Sequence, residues 1–462
     1  MSAARSIHLV GIGGAGMSGL ARLAHDAGYR VSGTDRDDSA TLRALAGAGI
    51  AARAGHGADA LPEALDALVV STAVAADNPE LVAARERGIP VLHRADLLAE
   101  LMRGRRGIAV AGAHGKSTTT ALLALALGDP AVCVGASIDG GAGTGARWGA
   151  DPFFVAEADE SDRSLLRLAP EAAILLNVDH DHHATFASID EVREVFVAFL
   201  GALPADGLVV AGPDADARAC AAAAPCAARA VGDVEGAFCR VEEVAPDGPF
   251  TLALADGRRV RVPLPAAGVH NAQNAACALA MADWCGVPVE EGAARLAGYR
   301  GIGRRFEPRG AAGGVRVVDD YAHHPAELRA TLAAARAAGA GRIVAIFQPH
   351  LYSRTAALGD ELGAALGAAD VAIVTEIYGA REDPVPGVSG QAVVDAVPAP
   401  TTATFAPTLE DAAAAALAVA RPGDLILTLG AGDVTRLGQE LVAALQKHYG
   451  DGEDRHGRGQ AA

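Results

Sequence analysis

The amino-acid sequence predicts an α/β protein with more than one domain. The chain has 462 residues, which is too long for one ordinary hydrophobic core, so we expect two to four domains. Short apolar runs alternate with helix-forming stretches along the chain, a pattern typical of parallel sheets flanked by helices. Two of these runs end in glycine-rich turns, the place where open α/β sheets bind their ligands.

The first segment opens with a predicted strand, Ser6–Val10, and a glycine-rich turn, Gly11–Gly16. A second predicted strand ends on Asp35. Glycines spaced as G-x-G-x-x-G with an acid about 20 residues later are typical of a Rossmann-like domain that binds a dinucleotide. The turn itself requires only a diphosphate at a helix N-terminus, so any nucleotide diphosphate satisfies it. We therefore expect a Rossmann-like domain over residues 1–106, ended by the basic stretch 103–107.

A phosphate-binding loop is predicted between the strand 108–111 and a helix that begins at Lys116. Backbone N–H groups and the helix dipole would face an anion there, and the lysine would reach its outer phosphates. The match is imperfect, because Val110 stands where the P-loop pattern has its first glycine. Of 39 basic residues only Lys116 and Lys447 are lysines, which favours a specific role for Lys116. The alternative is a glycine-rich turn with an incidental lysine.

Two segments rich in carboxylates and imidazoles follow predicted strands of the same unit. The first contains Glu157, Asp159, Glu160 and Asp162, and the second is the run Asp179–His183. Both lie at the C-terminal ends of predicted parallel strands, the edge at which the phosphate loop also lies. An acid and a neutral imidazole there could hold Mg²⁺ together with the Ser117 hydroxyl. The alternatives for Asp179–His183 are a zinc site and a solvated polar loop.

Two asparagines, Asn271 and Asn274, stand three residues apart at the start of an alanine-rich predicted helix. This spacing puts them on one helix face. The two amides could bind a base edge or a phosphate, or they could cap the helix.

The third segment begins near Gly303 and again alternates strands with helices, so we expect a second doubly wound unit. Its predicted strands end in Asp-Asp-Tyr-Ala-His-His-Pro (319–325), in Gln-Pro-His-Leu-Tyr-Ser-Arg (348–354) and in Gly-Ala-Gly-Asp (430–433). The tail 450–462 is polar, and we expect it to be disordered.

Composition excludes several classes of protein. A formal net charge of -17 argues against nucleic acid as a partner. No 18-residue stretch is apolar enough to span a membrane, so we expect no membrane partner. Six cysteines without a C-x-x-C pair are typical of a reducing compartment. These features predict a cytoplasmic protein.

The order of these motifs resembles the Mur ligase family of peptidoglycan precursor synthesis, and the resemblance covers roughly residues 6–440. It implies an α/β fold of three domains. These are a Rossmann-like domain for a UDP-sugar (1–106), a P-loop ATPase-like central domain (107–302) and a Rossmann-like domain for an amino acid (303–449), followed by the tail 450–462.

The resemblance also implies a reaction and its participants. ATP would phosphorylate the lactyl carboxylate of UDP-N-acetylmuramate, and the amine of L-alanine would attack the acyl phosphate, with Mg²⁺ as the cofactor. The implied state is a monomer or a homodimer. Alternatives are a related ligase that attaches another amino acid or a recycled peptide, a nicotinamide dehydrogenase built on Gly11–Asp35, and a non-catalytic nucleotide-binding switch.

Four groups of residues follow from matching the family motifs to this sequence. The implied ATP-binding residues are Gly112, Ala113, His114, Gly115, Lys116, Ser117, Thr118, Asn271, Asn274, Arg305 and Asp320. The implied UDP-sugar-binding residues are Gly11, Gly13, Gly14, Ala15, Gly16, Ser71 and Arg94. The implied amino-acid site consists of Tyr321, His323, His350 and Arg354. The implied catalytic residues are Lys116, Glu157 and His182, and the implied metal ligands are Ser117, Glu157 and His182.

The sequence departs from the family pattern in several places near these sites, among them residues 183–186, where the family tends to have an Asp and a Tyr, so no role is carried over past His182. Ala113 and Ser117 stand where threonine is usual, and Leu351 follows His350 where arginine is usual. Serine at 117 keeps the hydroxyl that Mg²⁺ needs. The change at Leu351 removes a cation from the implied amino-acid site.

Overall fold

The computed structural model of the protein describes residues 5–137, 145–181, 185–380 and 382–456. Within these residues the chain forms three large sheets in sequence, each flanked by helices, and one small antiparallel sheet. The three large sheets match the three segments that the sequence separates.

The N-terminal sheet is parallel throughout, with strand order β3-β2-β1-β4-β5. Its strands are β1 (Ser6–Val10), β2 (Arg30–Asp35), β3 (Ala51–Ala54), β4 (Ala67–Val70) and β5 (Val91–His93). Its helices are α1 (Ala15–Asp26), α2 (Ala40–Gly47), α3 (Pro79–Glu86) and α4 (Arg94–Met102).

The central sheet has seven strands in the order β12-β11-β10-β6-β9-β7-β8, parallel except for β8. Its strands are β6 (Arg106–Ala111), β7 (Ala131–Cys133), β8 (Ala146–Arg147), β9 (Phe153–Glu157), β10 (Ala172–Leu175), β11 (Leu208–Ala211) and β12 (Ala227–Ala230). The small antiparallel sheet follows, with β13 (Cys239–Glu242), β14 (Phe250–Leu254) and β15 (Arg259–Val262). The helices are α5 (Lys116–Leu127), α6 (Ile189–Gly201), α7 (Ala215–Ala221), α8 (Val269–Trp284) and α9 (Val289–Arg295).

The C-terminal sheet has the order β16-β17-β21-β18-β19-β20, with β16 as an antiparallel edge strand. Its strands are β16 (Glu307–Ala312), β17 (Val315–Asp320), β18 (Arg342–Phe347), β19 (Val371–Val374), β20 (Thr402–Phe405) and β21 (Asp424–Leu429). Its helices are α10 (Pro325–Ala337), α11 (Tyr352–Leu366), α12 (Gly390–Asp395), α13 (Leu409–Val419) and α14 (Leu437–His456).

The last helix, α14, continues into the range 450–462, which the sequence predicts to be disordered. Leu441 and Leu445 bury this helix against the C-terminal sheet. Extending an existing helix by one hydrogen bond per residue is easier than starting a new one, which accounts for the extra turns up to His456. The remainder of the predicted tail, residues 457–462, lies outside the described residues.

The strands that lead to the glycine-rich turns are buried on both faces. Residues 108–111 of β6 and Leu9 of β1 have no exposed surface. Strands covered by helices on both sides need apolar residues at every position rather than at alternate ones. This is why the sequence shows continuous apolar runs there, and why both turns emerge at fixed points on rigid strands.

The N-terminal and central domains share one continuous core. Leu20 of α1 belongs to the same buried cluster as Phe154 of β9. Gly19 faces β8 closely enough that an added Cβ would lie 3.2 Å from the Cβ of Ala146. This packing sets the distance between the first glycine-rich turn and the phosphate loop.

Candidate active site

The phosphate loop joins β6 to α5 and depends on two glycines. Gly112 and Gly115 have φ angles of 131° and 84°, in the region that favours glycine. A Cβ at Gly112 would lie 3.1 Å from the backbone nitrogen of Asn177, and one at Gly115 would lie 2.8 Å from Oδ1 of Asn274. The neighbouring backbone and side chains therefore enclose the loop and leave almost no room for a side chain at either glycine.

Asn177, at the end of β10, holds this loop from the neighbouring strand. Its Oδ1 accepts a hydrogen bond from the His114 backbone N–H at 2.8 Å, and its Nδ2 donates to the His114 carbonyl at 3.0 Å. Sequence reasoning missed this residue. The available signal was a polar side chain at the end of an otherwise apolar parallel strand next to the loop.

Lys116 is folded back over the loop. Its Nζ donates to the carbonyls of Gly112 and Ala113 at 2.6 and 3.0 Å and pairs with Glu160 at 2.9 Å. Burial alone would lower the lysine pKa, but Glu160, Glu157 and Asp159 raise it above its usual value. The ammonium is charged and only 13% exposed.

Ser117 and Glu157 form a pair of oxygen donors beside the loop. The Ser117 hydroxyl lies 3.0 Å from each carboxylate oxygen of Glu157, which also accepts from the Gly135 N–H at 2.8 Å. Glu160 instead faces Lys116. The oxygens of Ser117 and Glu157 are the hard ligands that Mg²⁺ prefers, so the donor set fits this ion. His182, the third predicted ligand, lies outside the described residues.

A cavity of about 860 Å³ opens between the phosphate loop, α8 and the C-terminal domain. Its size suits a nucleotide-sized ligand. Most of the predicted ATP-binding residues line it. They are His114, Gly115, Ser117, Thr118, Asn271, Asn274, Arg305 and Asp320.

The two asparagines of α8 have different surroundings in this cavity. Asn274 is buried, and its side-chain amide is so close to Gly115 that a Cβ added there would lie 2.8 Å from Oδ1. The Asn271 amide donates to the Ala267 carbonyl at 2.7 Å, a bond to its own helix start. The helix thus carries one amide beside the phosphates and one that is partly engaged in local structure.

Arg305 and Asp320 enter the cavity from the C-terminal domain. Asp320 accepts hydrogen bonds from the backbone N–H groups of Phe306 at 2.7 Å and Ala322 at 2.8 Å. Burial raises its pKa to about 6, although Arg305 and these bonds oppose the shift. The Arg305 guanidinium lies 5.3 Å from the centre of the Tyr321 ring.

His114 connects the phosphate loop to the C-terminal domain. Its Nε2 lies 3.2 Å from Asp179, and its Nδ1 lies 3.5 Å from Glu327 of α10. Burial alone would lower the His114 pKa, but hydrogen bonds to Asp179 and Glu327 outweigh it and raise the pKa to about 9. The imidazole is therefore positively charged at neutral pH.

Of the run Asp179–His183, for which zinc is an alternative, the structure describes Asp179, His180 and Asp181, whereas His182 and His183 lie outside the described residues. Asp179 faces His114, the His180 Nε2 contacts the Phe186 carbonyl at 3.2 Å, and Asp181 pairs with Arg354. The three side chains thus have separate partners. In the described part of the chain, one group of three residues comes close enough to share a metal ion, and it combines Asp179 with His114 and His324.

The four predicted amino-acid residues lie together at the C-terminal edge of their sheet. Tyr321 and His323 have ring centres 5.2 Å apart, those of His323 and His350 lie 5.9 Å apart, and Arg354 contacts Nδ1 of His350 at 3.2 Å. Burial lowers the pKa of His323 to about 4 and that of His350 to about 3. Both imidazoles are neutral at physiological pH.

Two further residues belong to this cluster, and sequence reasoning missed both. The ring of Tyr378 stacks on His350 with centres 5.9 Å apart and planes 14° apart. Asp181 of the central domain accepts two hydrogen bonds from Arg354, and both side chains are 5% exposed. Asp181 stood inside a predicted metal-binding run, so its pairing with a distant arginine was not visible.

The turn Gly11–Gly16 has a simpler environment. Gly11 has a φ of 74°, and the Gly13 N–H donates to Asp35 at 2.8 Å. In the dinucleotide fingerprint this acid would bind a ribose. Here one of its oxygens holds the turn itself.

Arg94 and Ser71 follow β5 and β4 of the same parallel sheet, and their hydrogen bonds go to other residues than those of the turn. The Arg94 guanidinium contacts Asp159 at 2.8 Å, Asp162 at 3.2 Å and Ser164 at 3.1 Å, all in the central domain. The Ser71 hydroxyl accepts from the Ala73 N–H at 3.3 Å. Arg94 thus links two domains at the edge where the phosphate loop lies.

Family models match all three parts of the chain. The model described as the Mur ligase family catalytic domain matches residues 6–106, the Mur ligase middle domain matches residues 150–282, and the Mur ligase glutamate ligase domain matches residues 304–432. The chain belongs to the Mur ligase family.

Curated Mur ligases resemble the chain over nearly its whole length. A protein of Streptomyces coelicolor named UDP-N-acetylmuramate–L-alanine ligase is 47% identical over 452 residues, which are 95% of this chain and 97% of the relative. A protein of Kineococcus radiotolerans with the same name is 48% identical over 458 residues, covering 95% and 96%.

Solved Mur ligase structures share the fold. The UDP-N-acetylmuramate–alanine ligase of Thermotoga maritima has a TM-score of 0.80 at 27% identity, covering 96% of this chain and 99% of the other. A murein peptide ligase of Psychrobacter arcticus has a TM-score of 0.72 at 26% identity, covering 96% and 99%. The predicted three-domain α/β fold and the resemblance to Mur ligases are confirmed. The domain bounds and the roles of individual residues stay predictions.

A further finding concerns membranes. Along the described ranges, none of the helices combines the length and the apolar character that crossing a bilayer requires.

Proposed function

We propose that this Mur ligase joins L-alanine to the lactyl carboxylate of UDP-N-acetylmuramate with ATP, releasing ADP and phosphate, in peptidoglycan precursor synthesis. The observation that carries the proposal is the full-length likeness to curated L-alanine ligases, at 47% and 48% identity. The geometry agrees with it, because the cavity beside the phosphate loop is lined by both the central and the C-terminal domains.

In the proposed reaction the carboxylate oxygen attacks the γ-phosphorus of ATP and ADP leaves. The amine of L-alanine then attacks the acyl carbon, an amide forms and phosphate departs. Transfer of a phosphoryl group depends mainly on positioning and on neutralisation of charge. Lys116 is suited to this role because it is charged, buried and already directed at loop carbonyls. Gly112–Thr118 would hold the phosphates through backbone N–H groups.

Mg²⁺ is the metal that we infer for this site. Ser117 and Glu157 would hold it, together with His182 of the family motif. When bound, the ion supplies charge neutralisation on the phosphate oxygens.

The remaining substrate roles follow from position. Asn271, Asn274, Arg305 and Asp320 would bind the rest of the nucleotide, since they line the cavity. Gly11–Gly16 would hold the diphosphate of the UDP-sugar at the start of α1. Arg94, next to the central acid cluster, is positioned to bind an anionic part of that substrate. Tyr321, His323, His350 and Arg354 would surround the amino acid.

The proposed amino-acid site lacks one cation that the family pattern would supply, because Leu351 stands where arginine is usual. Arg354 is a cation that remains in this cluster, and it pairs with Asp181. Two neutral histidines beside it can accept hydrogen bonds from the ammonium of the amino acid.

We also infer a cytoplasmic location, because ATP and nucleotide sugars are made there, with no nucleic-acid or membrane partner. A monomer or a homodimer stays our expectation for the assembly. The proposed reaction does not depend on the location, the partners or the assembly.

A substrate panel tests the proposal. The protein is incubated with UDP-N-acetylmuramate, ATP and Mg²⁺ plus L-alanine, glycine, L-serine or an L-alanyl peptide, and phosphate release is measured. We expect the fastest release with L-alanine. Fastest release with the peptide would favour a recycling ligase instead, and no release with any of the four would refute the proposal.

A further inference from the structure

The two carboxylate oxygens of Glu327 face different parts of the molecule. Glu327 lies in the first turn of α10, where Oε2 accepts from the backbone N–H groups of His323 at 3.1 Å and His324 at 3.3 Å. This arrangement is a helix cap. The other oxygen, Oε1, faces Arg305 at 3.3 Å and His114 at 3.5 Å.

The second oxygen is not needed for the cap. Oε1 contacts one residue of the nucleotide cavity, Arg305, and one residue of the phosphate loop, His114, which belongs to another domain. Glu327 is only 10% exposed. Burial would raise its pKa, but His323, His114 and Arg305 together lower it well below its ordinary value, so the carboxylate is charged.

Glu327 also orients a residue of the amino-acid site. The Nδ1 of His323 lies 2.9 Å from the Tyr321 carbonyl and 3.2 Å from Oε2 of Glu327. Two acceptors at Nδ1 place the proton of the neutral imidazole there, so Nε2 is left as a hydrogen-bond acceptor. One carboxylate therefore contacts the phosphate loop, the nucleotide cavity and the amino-acid site.

We propose that Glu327 is a positioning residue that couples the ATP site to the amino-acid site. This proposal rests on the proposed function, which assigns the roles of His114, Arg305 and His323. With Oε1 the carboxylate holds the C-terminal domain on the phosphate loop, and with Oε2 it fixes the tautomer and orientation of His323. Binding of nucleotide and of amino acid then favours the same closed arrangement, and each ligand raises the affinity for the other by the same factor.

The substitution Glu327→Gln separates the roles of the two carboxylate oxygens. The amide oxygen can still cap α10, but the NH₂ group is a donor and would face two other donors, Arg305 and His114. We expect kcat to fall about 10- to 100-fold, the range for losing a hydrogen bond between charged groups. We also expect the affinity for a non-hydrolysable ATP analogue to lose its dependence on L-alanine.

The His114 imidazole provides a readout that a purely structural role would not change. The groups facing it are Asp179 from the segment after β10, Glu327 from α10 and His324 from the turn before α10. Nuclear magnetic resonance titration of histidine in the ligand-free protein should give a pKa near 9 in the unchanged protein and a clearly lower one in Glu327→Gln.

A matched control is available on α13. Asp411 occupies the corresponding position in the first turn and accepts from the Thr408 hydroxyl at 2.7 Å, on an exposed surface. Asp411→Asn makes the same carboxylate-to-amide change and should leave kcat, coupling and the His114 pKa unchanged. Thermal unfolding of both variants checks that α10 stays folded.

The outcomes separate this inference from the proposed function. If the unchanged protein fails to ligate any amino acid, the proposed function falls, but the His114 titration still tests the contact with Glu327. If the protein is active and Glu327→Gln keeps both the coupling and the His114 pKa, the inference is wrong. Should Glu327→Gln unfold, a double-mutant cycle with Glu327→Asp and His114→Asn measures the same coupling, and additive effects would refute it.

Discussion

The two glycine-rich turns, Gly11–Gly16 and Gly112–Gly115, follow buried parallel strands and precede helices, yet their surroundings differ. The first is held by one carboxylate of its own domain, Asp35, and the Cβ of an alanine at Gly11 would meet no atom within 4 Å. The second is enclosed by Asn177 and Asn274, carries Lys116 and contacts the C-terminal domain through His114.

In the proposed function this difference separates a turn that binds substrate from a turn that supports the chemistry. A turn with N–H groups and a helix dipole is sufficient to hold a diphosphate. A turn that must also support transfer of a phosphoryl group needs a fixed cation and oxygen donors for a metal. It also needs a second domain that brings the amine, which attacks the acyl phosphate. The proposed function thus uses the same local backbone twice, and the neighbouring side chains decide its task.

The largest expected effect concerns Lys116. Lys116→Arg keeps the charge, but a planar guanidinium cannot reproduce three contacts of 2.6 to 3.0 Å made by one nitrogen. We expect kcat/KM for ATP to fall by about 10³-fold. The control is Lys447→Arg at the exposed second lysine, which should leave kcat/KM for ATP unchanged. Near-normal turnover of Lys116→Arg would mean that the phosphates bind elsewhere.

Alanine substitutions compare the two turns directly. Gly115→Ala combines a φ of 84° with a Cβ only 2.8 Å from the Asn274 amide, so nucleotide affinity should fall about 30-fold. Gly11→Ala has a similar φ of 74° but open space, so only backbone strain of about 1 kcal/mol applies. Calorimetric titration with ADP and with UDP-N-acetylmuramate measures both. Equal losses would contradict the contrast between the turns.

A smaller effect is expected for Asp35. Asp35→Ala removes the acceptor of the Gly13 N–H, and the turn should loosen. We expect the KM for UDP-N-acetylmuramate to rise about tenfold with kcat nearly unchanged, because the proposed role of this turn is to bind that substrate and not to transfer phosphate. Steady-state kinetics give both constants. A drop in kcat alone would assign Asp35 to the chemistry.

The last expected effect is a dependence of stability on pH that only the second turn should show. The His114 pKa is raised to about 9, so its ion pairs stabilise the fold fully below its unfolded pKa of about 6.5 and are lost as the pH rises through 9. Between pH 7 and 9.5 stability should fall by on the order of 1–2 kcal/mol more than in His114→Asn. Denaturant unfolding of both proteins at the two pH values tests this, and parallel losses would contradict it.

Local signals in the sequence were sufficient for the turns and their strands. Residues 108–111 are apolar at every position because helices cover both faces of β6, and Lys116 follows a glycine that needs a positive φ. The clustering of Tyr321, His323, His350 and Arg354 was predicted through the family motifs, and the structure brings them together.

Contacts between distant segments were not predictable in this way. Glu157 and Glu160 are the same residue type in the same segment, so the sequence does not distinguish them. In the structure Glu157 faces Ser117 and Glu160 faces Lys116. Asp181 looked like a metal ligand and instead pairs with Arg354, 173 residues later. Such choices depend on strand order and domain docking, which a single sequence does not display.

The sequence by itself determined the three α/β units, the two glycine turns and the chemical groups at the strand ends, because hydrophobic periodicity and glycine conformation are local properties. The tertiary structure alone decided which of those groups meet. Asn177 clamps the phosphate loop because β10 lies beside β6, and Glu327 reaches His114 because the C-terminal domain is docked on the central one. Charges separated by hundreds of residues interact only when packing brings them within a few ångströms, and that distance is a property of the whole fold.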